Sequence, residues 1–496
     1  MKLRVKDLDI STGGHLIAVL NEEDAKILDL HPMDRIKIFF GKKMETVVVD
    51  IAMHSSSVKK GTIGLFEEVL TSLGVAKGKQ VSIMAARKPV SLDYIKRKLD
   101  GHKLTKKEID QIVWDIVHNK LSDVELTFFV AATYCNQNNM SEIVNLTKAM
   151  VKEGQQLKLK NKIIIDKHSI GGIPGNRTTM IIVPIMAAAG YTIPKTSSRA
   201  ITSPAGTADT MEVLSKVVFP LDKMKEIVQK ANGCIVWGGA LNLAPADDKI
   251  IRVEKTLMID AESQLLASIM AKKNSASSTH VVIDIPIGPN TKIIDKSKAQ
   301  HLKRMFLNLG KHLRMKTAVM LTDGRQPIGN GVGPGLEARD ILKVLRQDYD
   351  RPRDLEQKCI KMAAKLFEMI GEKDGLKLAR TILKSGKAYD KMKQIIKLQG
   401  GKSNILPEEI PLGRFEYDYI AKKNCKITAI NNILVAKLSR IAGSPENKGA
   451  GMYLYKKIGD FVKKGERIFT VYAGTKHRIE HVKQSIPEMQ DVVEVK

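Results

Sequence analysis

Apolar and polar positions alternate in short runs over the first part of the chain. The alternation is clear in Arg35–Phe40, Thr46–Val49 and Val81–Met84, and glycine- and lysine-rich turns separate the runs. A period of two residues is typical of β-strands with one buried face. The pattern therefore predicts a β-rich N-terminal domain over residues 1–85.

From about residue 90 the apolar positions take the spacing of helices. A capping box at Thr105–Glu108 precedes apolar residues spaced three and four apart, and a second capping box lies at Ser122–Glu125. A third helix is predicted to begin at Ser141. Together with a later apolar segment, these helices predict a helical lobe over 86–157 and 242–276.

After Lys162 short, continuous apolar runs alternate with helical stretches. The runs are Ile163–Ile165, Cys234–Trp237, Val281–Ile283 and Ala318–Leu321. Such runs are typical of parallel strands that are buried on both faces. The pattern predicts a large α/β domain over 158–241 and 277–414.

The chain becomes β-rich again after about residue 415. The turn over 459–466 is similar to those of barrel-hammerhead domains, and a β-rich, hammerhead-like C-terminal domain is predicted over 415–496. The predicted fold class is thus α/β multidomain: a helical lobe and a large α/β domain, with a β-rich domain at each end.

Composition narrows the classes of function. With 43% hydrophobic and 27% charged residues, the chain has the balance of a globular protein. It contains no apolar run near the roughly 20 residues that a membrane span needs, and it starts without an apolar leader. The four cysteines form no C-x-x-C pair. We expect a cytoplasmic protein with free thiols and no metal site built from these cysteines.

The formal net charge of +27 leaves two kinds of partner open. It suits nucleic acid, and it suits small anions such as phosphate and nucleotides. Aromatic residues make up only 5% of the chain, so stacking platforms for nucleic-acid bases are scarce. Charge alone does not decide between them.

Two polar segments lie in the predicted α/β domain, and the first of them follows a predicted strand. The first, from Asp166 to Thr179, contains the pair Gly171-Gly172 before a predicted helix that begins near Thr178. Glycines let backbone N–H groups approach an anion, and a helix N-terminus favours negative charge. The second, from Lys195 to Thr207, holds six hydroxyl groups and one guanidinium. Such groups can bind phosphate without a metal ion, although a solvated loop has the same composition.

A third segment, from Ile251 to Lys273, is largely apolar. Asp260, Gln264, Ser268 and Lys272 recur in it every four residues, so on one continuous helix they would form a polar stripe. We expect such a stripe to face a cleft, and an exposed helix face with ion pairs is the alternative.

Together these three segments resemble the pyrimidine and thymidine phosphorylase family, over about residues 90 to 490. Within that family the chain is most similar to the archaeal AMP phosphorylases, which also have an extra N-terminal domain. The stretch Arg199–Thr207 departs from the thymidine phosphorylase pattern R-G-x-x-x-T-G-G-T, and Arg252 lies one position from the arginine that contacts a pyrimidine. Pro174-Gly175-Asn176 matches the AMP type.

The resemblance implies phosphorolysis of AMP to adenine and ribose 1,5-bisphosphate, with Asp260 as the proton donor. It implies no cofactor and no metal, inorganic phosphate being a co-substrate, and a homodimer or larger homo-oligomer. The residues that it assigns to inorganic phosphate are Lys167, Ser169, Thr178, Ser197 and Thr207. The residues that it assigns to the nucleotide are Gly172, Ser198, Arg199, Ala200, Ile201, Thr202, Ser203, Thr207, Ser268 and Lys292.

Three alternatives to this function remain open at this stage. A thymidine or pyrimidine-nucleoside phosphorylase would share the loops, and the sequence does not separate AMP from CMP and UMP. A phosphoribosyltransferase of the anthranilate type favours a G-T-G-G-D loop, whereas this chain has Ser169–Ile173 without the aspartate. A nucleic-acid-binding protein would explain the charge but not the clustered hydroxyl groups. The glycine-rich run Gly329–Gly335 is expected to have a packing role.

Overall fold

The computed structural model describes residues 1–54, 56–200, 203–257, 259 and 261–496. The chain divides into two compact units. The first contains Met1–Glu153 and Pro245–Ala267, and the second contains Gly154–Ala244 and Ser268–Lys496. Asp260, Ile201 and Thr202 lie outside the described residues.

The strands are labelled in chain order. They are β1 (Lys2–Asp7), β2 (Ile17–Asn21), β3 (Arg35–Phe40), β4 (Lys43–Ala52), β5 (Thr62–Leu65), β6 (Gln80–Ala85), β7 (Ile165–Ser169), β8 (Ile193–Ser197), β9 (Gly233–Trp237), β10 (His280–Ile287), β11 (Lys316–Asp323), β12 (Gly331–Val332), β13 (Phe415–Ile420), β14 (Cys425–Ile430), β15 (Gly451–Leu454), β16 (Phe461–Val462), β17 (Arg467–Ala473) and β18 (Val493–Val495).

The α-helices are labelled in the same way. They are α1 (Glu22–Ile27), α2 (Glu67–Leu73), α3 (Ser91–Leu99), α4 (Lys106–Val117), α5 (Asp123–Cys135), α6 (Met140–Lys152), α7 (Thr179–Ala188), α8 (Thr207–Met211), α9 (Leu221–Ala231), α10 (Pro245–Leu257), α11 (Glu262–Ser275), α12 (Lys296–His312), α13 (Pro334–Arg346), α14 (Arg353–Met369), α15 (Gly375–Lys384), α16 (Lys387–Leu398), α17 (Asn432–Ile441) and α18 (Lys476–Ser485).

The N-terminal strands of the first unit form a closed barrel in the order β1-β5-β2-β4-β3-β6. The alternation seen in the sequence places Ile36 and Ile38 of β3 in the barrel core, where both are fully buried. Closure leaves no unpaired edge in the sheet.

Helices α3 to α6 and α10 form the helical part of the same unit. Both predicted capping boxes are present, because Thr105 and Ser122 each accept a hydrogen bond from the backbone N–H of the glutamate three residues on. The third helix begins earlier than predicted: Asn139, rather than Ser141, caps α6 and completes a box with Glu142. An ion pair between Arg35 of the barrel and Glu125 of α5 joins the two parts of this unit.

The second unit is built on parallel strands. Strands β11, β10 and β7 pair in that order, β8 pairs with β9, and a parallel bridge between Ile164 and Thr192 links the two sets. Helix α7, apolar throughout, lies in the core of this unit, with Ile181 and Ile182 fully buried. The second unit therefore has an α/β architecture, as predicted.

The strands begin or end at other residues than the pattern indicated. Strand β7 begins at Ile165 and continues through Asp166 to Ser169, which the sequence placed in a loop. Lys195, Thr196 and Ser197, at the start of the second polar segment, form the end of strand β8 instead of a loop. Polar side chains at the ends of buried strands disguise a strand whose other residues are apolar.

The C-terminal part of the second unit contains two small sheets, in the orders β12-β15-β17-β13 and β16-β14-β18, with α17 and α18. The predicted fold class, with a helical lobe, an α/β domain and β-rich regions at both ends, is confirmed. Along the described part of the chain, no helix combines the length and the apolar character that crossing a membrane requires.

Candidate functional site

Two loops of the second unit follow adjacent parallel strands. The loop over 170–178 follows β7, and the loop over 198–206 follows β8. Counting five residues along each strand from the bridge between Ile164 and Thr192 places Ser169 level with Ser197. Ligands of open α/β sheets bind at the carboxyl ends of the strands, so both loops lie where a ligand is expected.

The loop over 170–178 contains two adjacent glycines in an unusual backbone conformation. Gly171 and Gly172 have φ angles of +91° and +92°, which residues with a side chain rarely adopt. A β-carbon on Gly172 would lie 2.6 Å from the backbone nitrogen of Lys292, so the loop packs directly against the segment after β10. The close approach brings the predicted residues Gly172 and Lys292 together.

Side chains of β7 make hydrogen bonds with residues of this loop and with the helix that follows it. The Lys167 ammonium is buried and donates a hydrogen bond to Oγ1 of Thr179 over 3.2 Å. The side-chain amide of Asn176 donates to Oγ of Ser169 over 3.0 Å. Burial lowers the pKa of Lys167 to about 8, and the nearby carboxylate of Asp284 opposes that effect.

Buried charged groups surround Lys167. Asp284 of β10 pairs with the ammonium of Lys358 over 2.9 Å and accepts a hydrogen bond from Oγ1 of Thr322 over 2.6 Å. Burial acts to raise the pKa of Asp284, but the ammonium groups of Lys358 and Lys167 lower it below its usual value. Asp284 therefore stays ionised beneath the loop.

A second buried cluster centres on Asp166. The ammonium of Lys195 lies 3.1 Å from one carboxylate oxygen and that of Lys273 lies 2.8 Å from the other. His168, next along β7, remains neutral, because burial and the surrounding lysines hold its pKa well below the usual range. Lysines thus outnumber carboxylates near the loop, which favours an anion there.

Asp209 joins the two ends of the loop over 198–206 by hydrogen bonds. Its Oδ2 accepts the backbone N–H groups of Ala200 and Gly206 over 2.7 and 2.9 Å. Its other oxygen accepts a hydrogen bond from the Arg199 guanidinium, which also makes two hydrogen bonds to Glu212 and stacks on Trp237 at 4.9 Å from the ring centroid. In this structure the Arg199 side chain therefore holds the loop rather than pointing into it.

Two hydroxyl groups of the loops are buried without a protein partner. Among the described residues, Oγ1 of Thr178 and Oγ of Ser197 are each inaccessible to solvent and have no hydrogen-bond partner. A buried polar group left unpaired costs about 1–3 kcal/mol, and a hydroxyl group can donate to an anion. An anion reaches these two hydroxyl groups only when the neighbouring segments shift, because neither is accessible in this structure. Both hydroxyl groups were predicted from the sequence as phosphate ligands.

The remaining predicted residues are placed as follows. Ser198 and Lys292 are exposed, and Ala200, Ser203, Thr207 and Ser268 are partly buried within the second unit. Asp260, Ile201 and Thr202 lie outside the described residues, so their assignments stay predictions.

The segment from Ile251 to Lys273 forms two helices. Helix α10 ends at Leu257 and α11 begins at Glu262. Asp260 lies outside the described residues, and Gln264, Ser268 and Lys272 all lie on α11. Gln264 is buried and its amide donates to Oγ1 of Thr133 over 2.7 Å, so in this structure its side chain takes part in the packing of the first unit.

Sequence reasoning missed the charged residues that support the loops. They are Arg177, Lys195, Asp209, Lys273, Asp284, Glu337 and Lys358. Asp284 carried a signal, because it is the one charged residue in the apolar run from Val281 to Ile287. A charge inside a buried strand has to be paired, which marks it as part of a site or of an ion pair.

Family models match three parts of the chain. Residues 92–154 match the helical bundle domain and residues 161–389 the α/β domain of a glycosyl transferase family. Residues 427–492 match the C-terminal domain of pyrimidine nucleoside phosphorylase.

Whole-chain comparisons find similar proteins in archaea. An AMP phosphorylase of Thermococcus kodakarensis is 48% identical over 483 residues, which cover 97% of this chain and 95% of that protein. An AMP phosphorylase of Thermofilum pendens is 42% identical over 493 residues, 99% of this chain and 95% of that protein.

Among solved structures, anthranilate phosphoribosyltransferase from Thermus thermophilus has a similar fold. Its TM-score is 0.52 at 18% identity, covering 62% of this chain and 99% of that one.

Proposed function

Since the chain belongs to the AMP phosphorylase family, we propose that it is a pentosyltransferase that cleaves AMP with inorganic phosphate. The products are adenine and α-D-ribose 1,5-bisphosphate. The observation that carries the proposal is the pair of adjacent strand ends and the loops that follow them. They bring together the buried Lys167 of β7, Ser197 of β8 and Thr178, and the last two have buried hydroxyl groups without a protein partner.

In the proposed reaction an oxygen of phosphate attacks C1′ of the ribose while the bond from C1′ to N9 of adenine breaks. Lys167, Ser169, Thr178, Ser197 and Thr207 hold the phosphate on one face of the sugar. Attack on the face opposite the departing base inverts the configuration at C1′. Because C1′ becomes positively charged in the transition state, an anion fixed beside it lowers the barrier.

The adenine leaving group needs a proton, and we propose that Asp260 donates it at N7. The carboxyl proton moves to the base as the bond to C1′ breaks, and the carboxylate is reprotonated before the next turnover. General acid catalysis contributes about 10²–10⁴-fold to a rate, so Asp260→Asn is expected to lose that much of kcat. A full parent rate in Asp260→Asn would exclude the assignment.

The nucleotide is proposed to lie along the loop over 198–206 and near Lys292. No cofactor takes part in the proposed reaction, since phosphate is the nucleophile and lysine ammonium groups supply the positive charge that binds it. The backbone of Gly172, at a positive φ, is well suited to approach a 5′-phosphate.

A second candidate function is phosphorolysis of a pyrimidine nucleoside. The match of residues 427–492 to the C-terminal domain of pyrimidine nucleoside phosphorylase favours it. It differs from the first in needing no site for a 5′-phosphate, so one experiment separates them.

The test is to incubate the protein with each nucleoside and each nucleoside 5′-monophosphate, with and without phosphate, and to identify the free base. We expect adenine from AMP only when phosphate is present, and the same assay ranks CMP and UMP. Base released without phosphate indicates hydrolysis. Base released from uridine or thymidine but not from AMP would favour the second candidate.

We also propose a homodimer or larger homo-oligomer in the cytoplasm. The proposed location agrees with four cysteines that are all free thiols, three of them buried. Sedimentation equilibrium at several concentrations tests the oligomer, and a mass equal to one chain throughout would reject it.

A further inference from the structure

One side chain joins the two loops of the site. The Arg177 guanidinium, at the end of the loop over 170–178, donates through Nη2 to the backbone carbonyl of Ala205 in the other loop. Ser203 donates to the same carbonyl over 2.9 Å. The contact fixes the second loop through its backbone, whatever its side chains bind.

Glu337 of α13 orients that guanidinium. Its Oε2 lies 2.5 Å from Nε of Arg177 and 3.0 Å from Oγ1 of Thr210, which follows the second loop. Its Oε1 accepts the backbone N–H of Gly333 over 3.2 Å. Only 1% of the Glu337 side chain and 11% of the Arg177 side chain are exposed.

The geometry of arginine suits this link. A guanidinium is planar and carries donors in fixed directions, so Nε can bind Glu337 while Nη2 binds Ala205. A lysine ammonium on a flexible stem cannot hold the two acceptors at a set distance. The pair therefore fixes the spacing between the loops.

We propose that Arg177 and Glu337 are positioning residues that set the distance between the phosphate-binding loop and the nucleotide-binding loop. The inference deepens the proposed function and rests on it, because it assigns the two loops to the two substrates. A shift of about 1 Å between reactants can cost about 10²-fold in rate. Loss of this link therefore lowers kcat, the rate of reaction within the complex, more than it weakens the binding of either substrate.

The test uses Arg177→Lys and Glu337→Gln in the full chain, with Glu142→Gln as the control. Glu142 is also a buried glutamate that pairs with a cation, Lys98, and accepts a backbone N–H, that of Leu104, but it lies in the helical part of the first unit. Hydrogen exchange of peptides covering 198–210 and steady-state kinetics are measured well below the melting temperature of each variant.

We expect faster exchange over 198–210 in both Arg177→Lys and Glu337→Gln, and a fall in kcat of about 10–100-fold with KM changed less than about threefold. Glu142→Gln is expected to leave exchange at 198–210 and kcat at parent values. Unchanged exchange in both site variants would overturn the inference, and so would an equal rise of exchange across the whole chain, which indicates a general loss of stability. Parent protein that fails to cleave AMP would refute the proposed function alone, because exchange still decides whether the pair holds the loop.

Discussion

The ammonium nitrogen of Lys273 lies 2.8 Å from a carboxylate oxygen of Asp166, and 3% of the one side chain and 0% of the other are exposed. Lys195 approaches the second oxygen of the same carboxylate over 3.1 Å. One buried anion thus balances two buried cations, and this anion immediately precedes Lys167, which is proposed to bind phosphate, along β7. Removing it leaves both ammonium groups without their counter-charge.

Asp166→Asn is therefore expected to destabilise the protein by about 3–5 kcal/mol, the range found when one partner of a buried ion pair is removed. Burial acts to raise the pKa of Asp166, but Lys195 and Lys273 lower it below its ordinary value. A carboxyl with a lowered pKa stabilises the fold above its unfolded pKa of about 3.9, and that contribution is lost as the pH falls through the folded pKa. Burial lowers the pKa of Lys273 to about 7, so the test is made below pH 5, where this titration no longer contributes. Thermal unfolding from pH 5 to 3 should show the gap between parent and variant narrowing. A gap that widens over that range would contradict the assignment.

The protonation state of Lys167 predicts the pH above which kcat/KM for phosphate falls. The pKa of Lys167 is lowered by burial to about 8, so the ammonium is present below that pH and is lost above it. We expect kcat/KM for phosphate to fall above about pH 8. Asp284→Asn removes the carboxylate that raises this pKa and should move the fall to lower pH. An unmoved profile in a folded Asp284→Asn protein would show that another group sets the limit.

Two adjacent glycines offer a matched pair of variants. Gly171→Ala and Gly172→Ala place a side chain at nearly the same positive φ, so the backbone strain is similar. A β-carbon at 171 meets nothing within 4 Å, whereas one at 172 meets the Lys292 nitrogen at 2.6 Å. We expect Gly172→Ala to raise KM for AMP at least about tenfold more than Gly171→Ala does, because the first loop and the Lys292 segment must separate. Equal KM values for the two variants would mean that this close approach has no part in binding.

Asp209 is expected to act through the shape of the second loop. Asp209→Asn keeps the size of the side chain but weakens two charge-assisted hydrogen bonds to the N–H groups of Ala200 and Gly206, each of which contributes about 1.5–3 kcal/mol. KM for AMP should rise about tenfold or more. Glu226→Gln, on the exposed face of α9, is the control and should leave KM for AMP and the stability at parent values. Parent KM in Asp209→Asn would reject this role.

Features of this fold that depend on residues close together in the chain could be predicted from the sequence. The capping boxes at Thr105 and Ser122, the barrel strand from Arg35 and the helix that follows Thr178 all depend on residues within a few positions of each other. Gly171 and Gly172 were singled out for their backbone freedom, and both have a positive φ, which glycine adopts without strain.

Pairing between distant residues explains what the sequence did not reveal. Lys195 lies 29 positions from Asp166, and Glu337 lies 160 positions from Arg177, so nothing in their neighbourhoods marks them as partners. The register that brings β7 beside β8 likewise depends on contacts across the sheet. The division of Ile251–Lys273 into α10 and α11 was not located, because polar residues at every fourth position do not mark where a helix ends.

The order of chain segments in the first unit bears on how the protein is made. Helix α10 packs against α4 and α5, yet it follows them by more than a hundred residues and belongs to the same unit. During synthesis the apolar surfaces of α4 and α5 must therefore wait for a segment that emerges only after β7, β8 and β9. A ribosome-bound chain stopped near residue 240 should recruit chaperones through that surface, and one long enough for α10 to have left the ribosome should release them.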